Sequence, residues 1–326
     1  MLKPRNIRIA RGITLQSYET CPTLRISLNR RYNTKASSSE SRSPALTSLQ
    51  RSYLYVPSSS DRMLQKSLTT LSDVIIYDLE DSVPPSATDK NGARDRLINF
   101  LTSRTEELPP SERIAIRLNS INTPFFRQDI SQALQLPSIK TFVLPKIHSP
   151  HDLHIVSQEI YTHSQLGSGP VVRDEPINIV ASIESARAVF NLGGIAGWQS
   201  EHGPLAGGKL AGLLFAAEDY CADTSVIRTP SRRELLYTRS KIAITAKAFG
   251  LQAIDMVCVN YKDLKYLEEE CQDGRELGFT GKQAIHPTQV DIIQATFVPS
   301  KKEGCYRADR GRRANGDDRR THDQAG

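Results

Sequence analysis

The chain has 326 residues, with 42 Lys+Arg against 36 Asp+Glu, a formal net charge of +6 and an apolar fraction of 38%; that length holds one large barrel or two ordinary domains. The positive excess sits at the two ends, since nine Lys/Arg face only Glu19 and Glu40 in residues 1–50, eight face five acids in residues 301–326, and residues 51–300 are net acidic. An acidic body excludes a basic nucleic-acid-binding face, and no apolar run reaches the roughly eighteen residues of a membrane span.

Residues 1–42 carry seven Arg, many Ser and Thr, and almost no acid. Residues 7–15 (IRIARGITL) can form a basic amphipathic helix. Residues 30–39 (RRYNTKASSS) resemble a processing site, with an Arg two residues before a cut after Tyr32. This composition predicts a mitochondrial transit peptide, a leader over residues 1–50 and a matrix location. The body begins near Arg51. Short apolar or alternating runs at 53–56, 73–79, 113–118, 140–146, 177–184, 212–219, 252–259 and 283–287 predict eight strands. Helical patterns at 61–71, 89–101, 127–134, 151–164 and 233–250 fall between them, the last stopping on Gly250. Strands alternating with helices predict a (β/α)8 barrel over residues 51–300. No G-x-G-x-x-G follows an early strand, which argues against a dinucleotide-binding sheet. The five cysteines form no C-x-x-C pair, so reduced thiols are expected.

Most predicted strands end in polar or charged residues: Asp78 and Glu80, Arg117 and Asn119, Lys146, Glu184, Glu218 and Asp219, His286. In such a barrel the carboxyl ends of the strands converge on the face that holds the active site. One such residue is ordinary; recurrence at strand after strand predicts a single pocket.

At these residues the chain resembles the citrate lyase β-subunit-like proteins of the HpcH/HpaI aldolase group, and within it the mitochondrial citramalyl-CoA lyase branch. The segments that carry the resemblance are 52–68 (SYLYVPSSSDRMLQKSL), 77–94 (YDLEDSVPPSATDKNGAR), 116–120 (IRLNS), 144–146 (LPK), 182–186 (SIESA), 217–223 (AEDYCAD), 229–263 and 278–290 (GFTGKQAIHPTQV). The resemblance implies a TIM barrel of the phosphoenolpyruvate/pyruvate type, a homotrimer, bound Mg2+, and cleavage of a carbon–carbon bond in an acyl-CoA thioester. It implies Glu184 and Asp219 as the protein ligands of Mg2+, a cation that prefers hard oxygen donors and takes one or two carboxylates. Arg117 matches the residue that pairs with the substrate carboxylate, a partner suited to a guanidinium fork. Tyr55, Arg62 and Lys66 match coenzyme A contacts, and Ile285 and His286 match residues touching the acyl-CoA. Asp78, Glu80 and Asp81 are expected to orient metal waters from behind the ligands.

The sequence departs from the family in two places. Relatives read V-P-G after the first strand, where this chain has Val56-Pro57-Ser58. After residue 300 the family continues with a helix and a lid bearing a catalytic Asp. Residues 301–326 instead contain no Leu, Ile, Val, Met or Phe, and are expected to be a disordered tail. No catalytic acid is therefore assigned. Three readings stay open: an active lyase, a barrel that binds Mg2+ and acyl-CoA with little turnover, and a splice or gene-model variant without function.

Overall fold

The computed structural model of the chain describes residues 49–165 and 173–298. The leader expected over residues 1–50 lies outside the described residues up to residue 48, and the tail expected over 301–326 lies outside them entirely. Eight parallel strands close into a barrel in sequence order. They are β1 (Ser52–Pro57), β2 (Val74–Asp78), β3 (Ile114–Arg117), β4 (Thr141–Leu144), β5 (Asn178–Ile183), β6 (Lys209–Phe215), β7 (Gln252–Asp255) and β8 (Gly281–Ala284). The helices are α1 (Asp61–Ser67), α2 (Ala87–Ser103), α3 (Phe126–Leu134), α4 (Pro150–Gln165), α5 (Ala186–Phe190), α6 (Leu192–Ala196), α7 (Gly203–Gly207), α8 (Ala217–Thr224), α9 (Leu236–Phe249), α10 (Leu264–Leu277) and α11 (Val290–Thr296). All eight expected strands and all five expected helices are present. No helix among the described residues is long and apolar enough to cross a membrane.

The strands bury two separate apolar layers, because successive side chains point to opposite faces. Tyr53, Val74, Ile76, Ala115, Val143, Val180, Leu214 and Ile254 pack together inside the barrel, with Tyr55 and Ala216 against them. Alternate residues such as Leu54, Ile75, Tyr77, Ile116, Phe142, Ile179 and Leu213 join the larger core under the helices. The same period of two carries the inner series upward. On β2 it runs Val74, Ile76, Asp78; on β3 Ala115, Arg117; on β5 Val180, Ser182, Glu184. The barrel is thus apolar within and ionisable at its carboxyl mouth.

Three strand boundaries differ notably from expectation: β8 occupies Gly281–Ala284 rather than 283–287, β7 stops at Asp255 rather than 259, and the third bears on the site. The run 212–219 does not stay extended: β6 ends at Phe215 and α8 begins at Ala217. Glu218 and Asp219 therefore occupy the first turn of a helix, where carboxylates face the positive end of its dipole.

The seam between β8 and β1 depends on Gly281. A Cβ there would sit 2.6 Å from the Arg51 carbonyl oxygen and 2.9 Å from that of Gln50. Both are backbone atoms, and the Arg51 carbonyl also accepts the Lys282 N–H at 2.8 Å. Gly281→Ala should cost about 1–3 kcal/mol in chemical denaturation; a change within about 0.5 kcal/mol would show that the seam can widen freely.

Candidate functional site

Glu184 follows β5 directly and is 6% exposed. Its Oε1 accepts a short hydrogen bond from the Lys146 backbone N–H. Lys146 delivers that N–H from a left-handed conformation, φ 55°, which costs a residue with a Cβ about 1 kcal/mol or more. The side chain of Lys146 reaches Glu80, with Nζ 3.2 Å from Oε1. Lys146 thus ties Glu184 through its backbone and Glu80 through its ammonium group.

Burial pushes the Glu184 carboxyl up to about 8, against the Lys146 N–H bond and with repulsion from Glu80 and Asp219. Glu80 is pushed up to about 7, mainly by burial and only partly offset by Arg117 and Lys146. Glu80 is met by the Arg117 and Lys146 cations, whereas Glu184 is bonded to a backbone N–H and repelled by Glu80 and Asp219. Hard oxygen donors in that condition fit Mg2+. Among the described residues no group of three or more His, Cys, Asp or Glu is arranged to hold a metal. Two carboxylates, such as Glu184 and Asp219, would leave the remaining positions of the ion to water and substrate.

The raised values fix the sign of a pH effect. A carboxyl of ordinary value 4.5 that is pushed up to about 8 holds its proton in the folded chain and loses it on unfolding. The metal-free protein should therefore lose thermal stability as pH rises from about 4.5 to about 8. Divalent-cation affinity should rise over the same interval, because the ion must displace that proton. Calorimetric titration at several pH values, with proton release read from buffers of different ionisation enthalpy, checks both; affinity independent of pH below 8 would contradict them.

Arg117 ends β3 inside the mouth. Its Nε and Nη2 donate to the two oxygens of Asp78, each at 2.7 Å. Its Nη1 lies 3.1 Å from both Glu80 and Asp81 carboxylates. The Tyr55 ring lies against the guanidinium, 4.8 Å from its centroid, and the Tyr55 hydroxyl donates to Gln283 Oε1 at 3.1 Å. Burial opposes ionisation of Asp78. The Arg117 guanidinium and N–H bonds from Ser82 and Glu80 outweigh burial and hold this carboxyl below the usual carboxylate range. Both Asp78 oxygens are consumed by these bonds, so Asp78 anchors Arg117 rather than orienting metal waters. Asn119 also leaves the predicted set. Its backbone and side-chain N–H groups bind Asp129 Oδ2, and Asp129 Oδ1 binds Arg94 under the helices.

Arg62 and Lys66 lie one turn apart on the exposed face of α1, and neither pairs with a described acid. Two like charges at that spacing are unfavourable alone and suit a polyanion. Ile285 and His286 follow β8. Their backbone N–H groups both donate to Gln289 Oε1, at 2.8 and 3.2 Å, and Tyr261 stacks on the His286 ring with centroids 4.9 Å apart. Ser58, which replaces the family glycine, is fully buried and its hydroxyl has no partner. Sequence reasoning missed the bridging geometry of Lys146, the clamp of Gln289, and Tyr261. Lys146 and Gln289 lie within matched segments, but nothing in the pattern announced these contacts.

The chain is similar to known proteins in sequence and in fold. The chain is 32% identical over 256 residues to the mitochondrial citramalyl-CoA lyase of Homo sapiens, covering 78% of this chain and 72% of that protein. It is also 32% identical over 255 residues to the citrate lyase subunit beta of Leuconostoc mesenteroides, covering 78% and 79%. The Mycobacterium tuberculosis protein CitE, solved with magnesium, acetoacetate and coenzyme A, superposes with a TM-score of 0.59 at 25% identity, over 82% of this chain and 89% of that one. The family model described as HpcH/HpaI aldolase/citrate lyase matches residues 51–287, and this chain belongs to that family.

Proposed function

We propose that the chain is a magnesium-dependent carbon–carbon lyase that cleaves a 3-hydroxyacyl-CoA of the citramalyl- or malyl-CoA type into a keto acid and acetyl-CoA. The observation that carries this reading is buried Glu184, bonded to a backbone N–H and repelled by Glu80 and Asp219, beside an Arg117 held rigid by Asp78. Glu184 and Asp219 would hold Mg2+. Bound there, the ion supplies Lewis-acid polarisation of the substrate's hydroxyl and carboxylate oxygens. Arg117 receives the substrate carboxylate by displacing Asp81, whose side chain is 59% exposed. Tyr55 walls the guanidinium on one face and limits its orientation. Arg62 and Lys66 take the coenzyme's phosphates, and the turn at Ile285 and His286, backed by Gln289, meets the acyl-CoA. As the substrate hydroxyl gives up its proton to a base and becomes the keto acid's carbonyl, the electrons of the carbon–carbon bond pass to the thioester enolate, which takes up one proton in return. The donor is unassigned, because no acid in residues 301–326 stands in the family's lid motif.

That departure favours a second reading, a barrel that binds Mg2+ and acyl-CoA but turns over poorly. We place the protein in the mitochondrial matrix, on the Arg-rich leader and the mitochondrial relatives. We also propose a homotrimer, supported by large apolar side chains left in solvent, Phe190 at 85% and Ile227 at 81% exposure.

The test is to incubate the 326-residue chain with citramalyl-CoA and Mg2+ and measure pyruvate and acetyl-CoA. Stoichiometric release, abolished by EDTA, supports the lyase. Binding without turnover supports the second reading. Free CoA without pyruvate would mean that the thioester bond is hydrolysed instead, and would overturn the proposal.

A further inference from the structure

Asp219 lies in the first turn of α8, and that turn has no side-chain cap: Ala216 stands at the N-cap position and makes no capping bond. The other side-chain ties to α8 lie further along it, from Asp223 to the Ala186 N–H and from Tyr220 to Thr238. Among the described residues, Ala217 packs the first turn into the apolar core, and one side chain makes a polar contact to it from outside. Arg228, in the segment after α8, donates from Nη1 to Glu218 in a short ion-paired contact. Its Nη2 donates to the Val257 carbonyl at 2.9 Å and lies 3.3 Å from Glu270 Oε2.

The far end of Arg228 meets a rigid fixture. Three successive carbonyls after β7 are each gripped by a different element: Met256 by Lys282 Nζ at 2.7 Å, Val257 by Arg228, and Cys258 by Gln289 Nε2 at 2.9 Å. Glu270 and Lys282 are fully buried and paired at 2.8 Å. The same Gln289 holds the Ile285–His286 turn. Arg228 therefore transmits a fixed position from the β7–β8 side of the mouth to the uncapped turn that presents Asp219. We infer that Arg228, acting through Glu218, is a positioning residue that sets Asp219 for divalent-cation binding; the inference rests on the reading of Glu184 and Asp219 as the metal site.

Simple electrostatics and positioning predict opposite signs. Removing a cation near a metal site should tighten cation binding, whereas removing a positioning residue weakens it. Binding of Mn2+ alone, followed by its electron paramagnetic resonance signal on the full chain, reads the difference. Arg228→Met should weaken Mn2+ binding about 10- to 100-fold, the usual effect of losing support behind a ligand. The loss should persist in high salt, which screens long-range charge effects. Unchanged or tighter binding by a folded Arg228→Met protein overturns the inference.

Arg228→Met removes one partner of buried Glu270 and can fail to fold. Glu218→Gln then decides, because that side chain is 51% exposed. It should weaken Mn2+ binding with an unchanged melting temperature, and because losing an anion also weakens cation binding through charge alone, the loss must persist in high salt; unchanged binding, or a loss that high salt removes, overturns the inference. Arg228→Lys keeps the charge but not the fork, and should recover only part of the affinity; full recovery would show that charge alone matters, against the positioning role. Wild-type protein that binds no Mn2+ defeats the metal-site reading itself. Binding that Asp219→Asn abolishes and Arg228→Met leaves intact defeats only the role given to Arg228.

Discussion

Glu184→Gln should abolish measurable Mg2+ binding and lower acyl-CoA cleavage by roughly 10³-fold or more, because a metal Lewis acid contributes several kcal/mol to such a step. The same substitution should stabilise the metal-free fold. Glutamine keeps an oxygen to accept the Lys146 N–H and removes the carboxyl that burial and Glu80 push up to about 8. A higher melting temperature together with lost cation binding is the signature of a ligand whose charge waits for a counter-ion. Retained Mg2+ affinity in Glu184→Gln would sink the ligand assignment. A fall in melting temperature would instead place Glu184 among the groups that hold the barrel together.

Lys282→Met should be among the most destabilising single changes in the barrel, at about 3–5 kcal/mol, the usual cost of leaving buried charges without their partner. Lys282 is fully buried on the outer side of β8. Its Nζ lies 2.8 Å from Glu270 Oε1 and 3.6 Å from Asp255 Oδ2, and donates to the Met256 carbonyl. Asp255 is paired again with Arg239, which reaches Asp273. Removing the lysine leaves Glu270 with Arg228 as its ion-pair partner among the described residues and strips one cation from Asp255. For a domain of this size the loss corresponds to a drop of about 10 °C in melting temperature. Lys66→Met is the contrast: that side chain is exposed and unpaired, so stability should move by no more than about 0.5 kcal/mol. Thermal and urea unfolding of both variants measure the difference. A Lys282→Met protein within 1 kcal/mol of wild type would show that the buried acids take up protons and repack at little cost.

These two sites differ in how far they could be read in advance. The mouth was largely legible. Parallel strands buried on both faces leave short apolar runs, and the inner series meets solvent only at the strand ends. Glu184, Arg117 and Lys146 therefore stand out as polar punctuation after apolar text. The layer that contains Lys282 was not legible. α10 buries Leu267, Glu270, Cys271 and Gly274, a face with one large apolar residue on a helix dominated by charged side chains, so no apolar run announces residues 264–277. β8 reads Gly-Lys-Gln-Ala, which looks like a polar turn until Lys282 is seen to face two buried acids and Gln283 to face Tyr55. Asp219 falls between these cases. Its residue type and motif were readable, but its place in a helix rather than at a strand end was not, because Ala216 and Ala217 carry the apolar run of β6 up to Glu218 without a break.

By itself, then, the sequence determined the eight-fold alternation, the acidic body between basic ends, and the chemical character of the mouth. These follow from local periodicity and residue type, and neither depends on who the neighbours are. Only the tertiary structure decided which charges meet. It spent both oxygens of Asp78 on Arg117, turned Asn119 away to Asp129, and set Lys146 left-handed so that one residue holds both Glu80 and Glu184. Pairings of this kind join residues from 10 to 66 positions apart, and electrostatic energy depends on distance and burial in space, which spacing along the chain does not record.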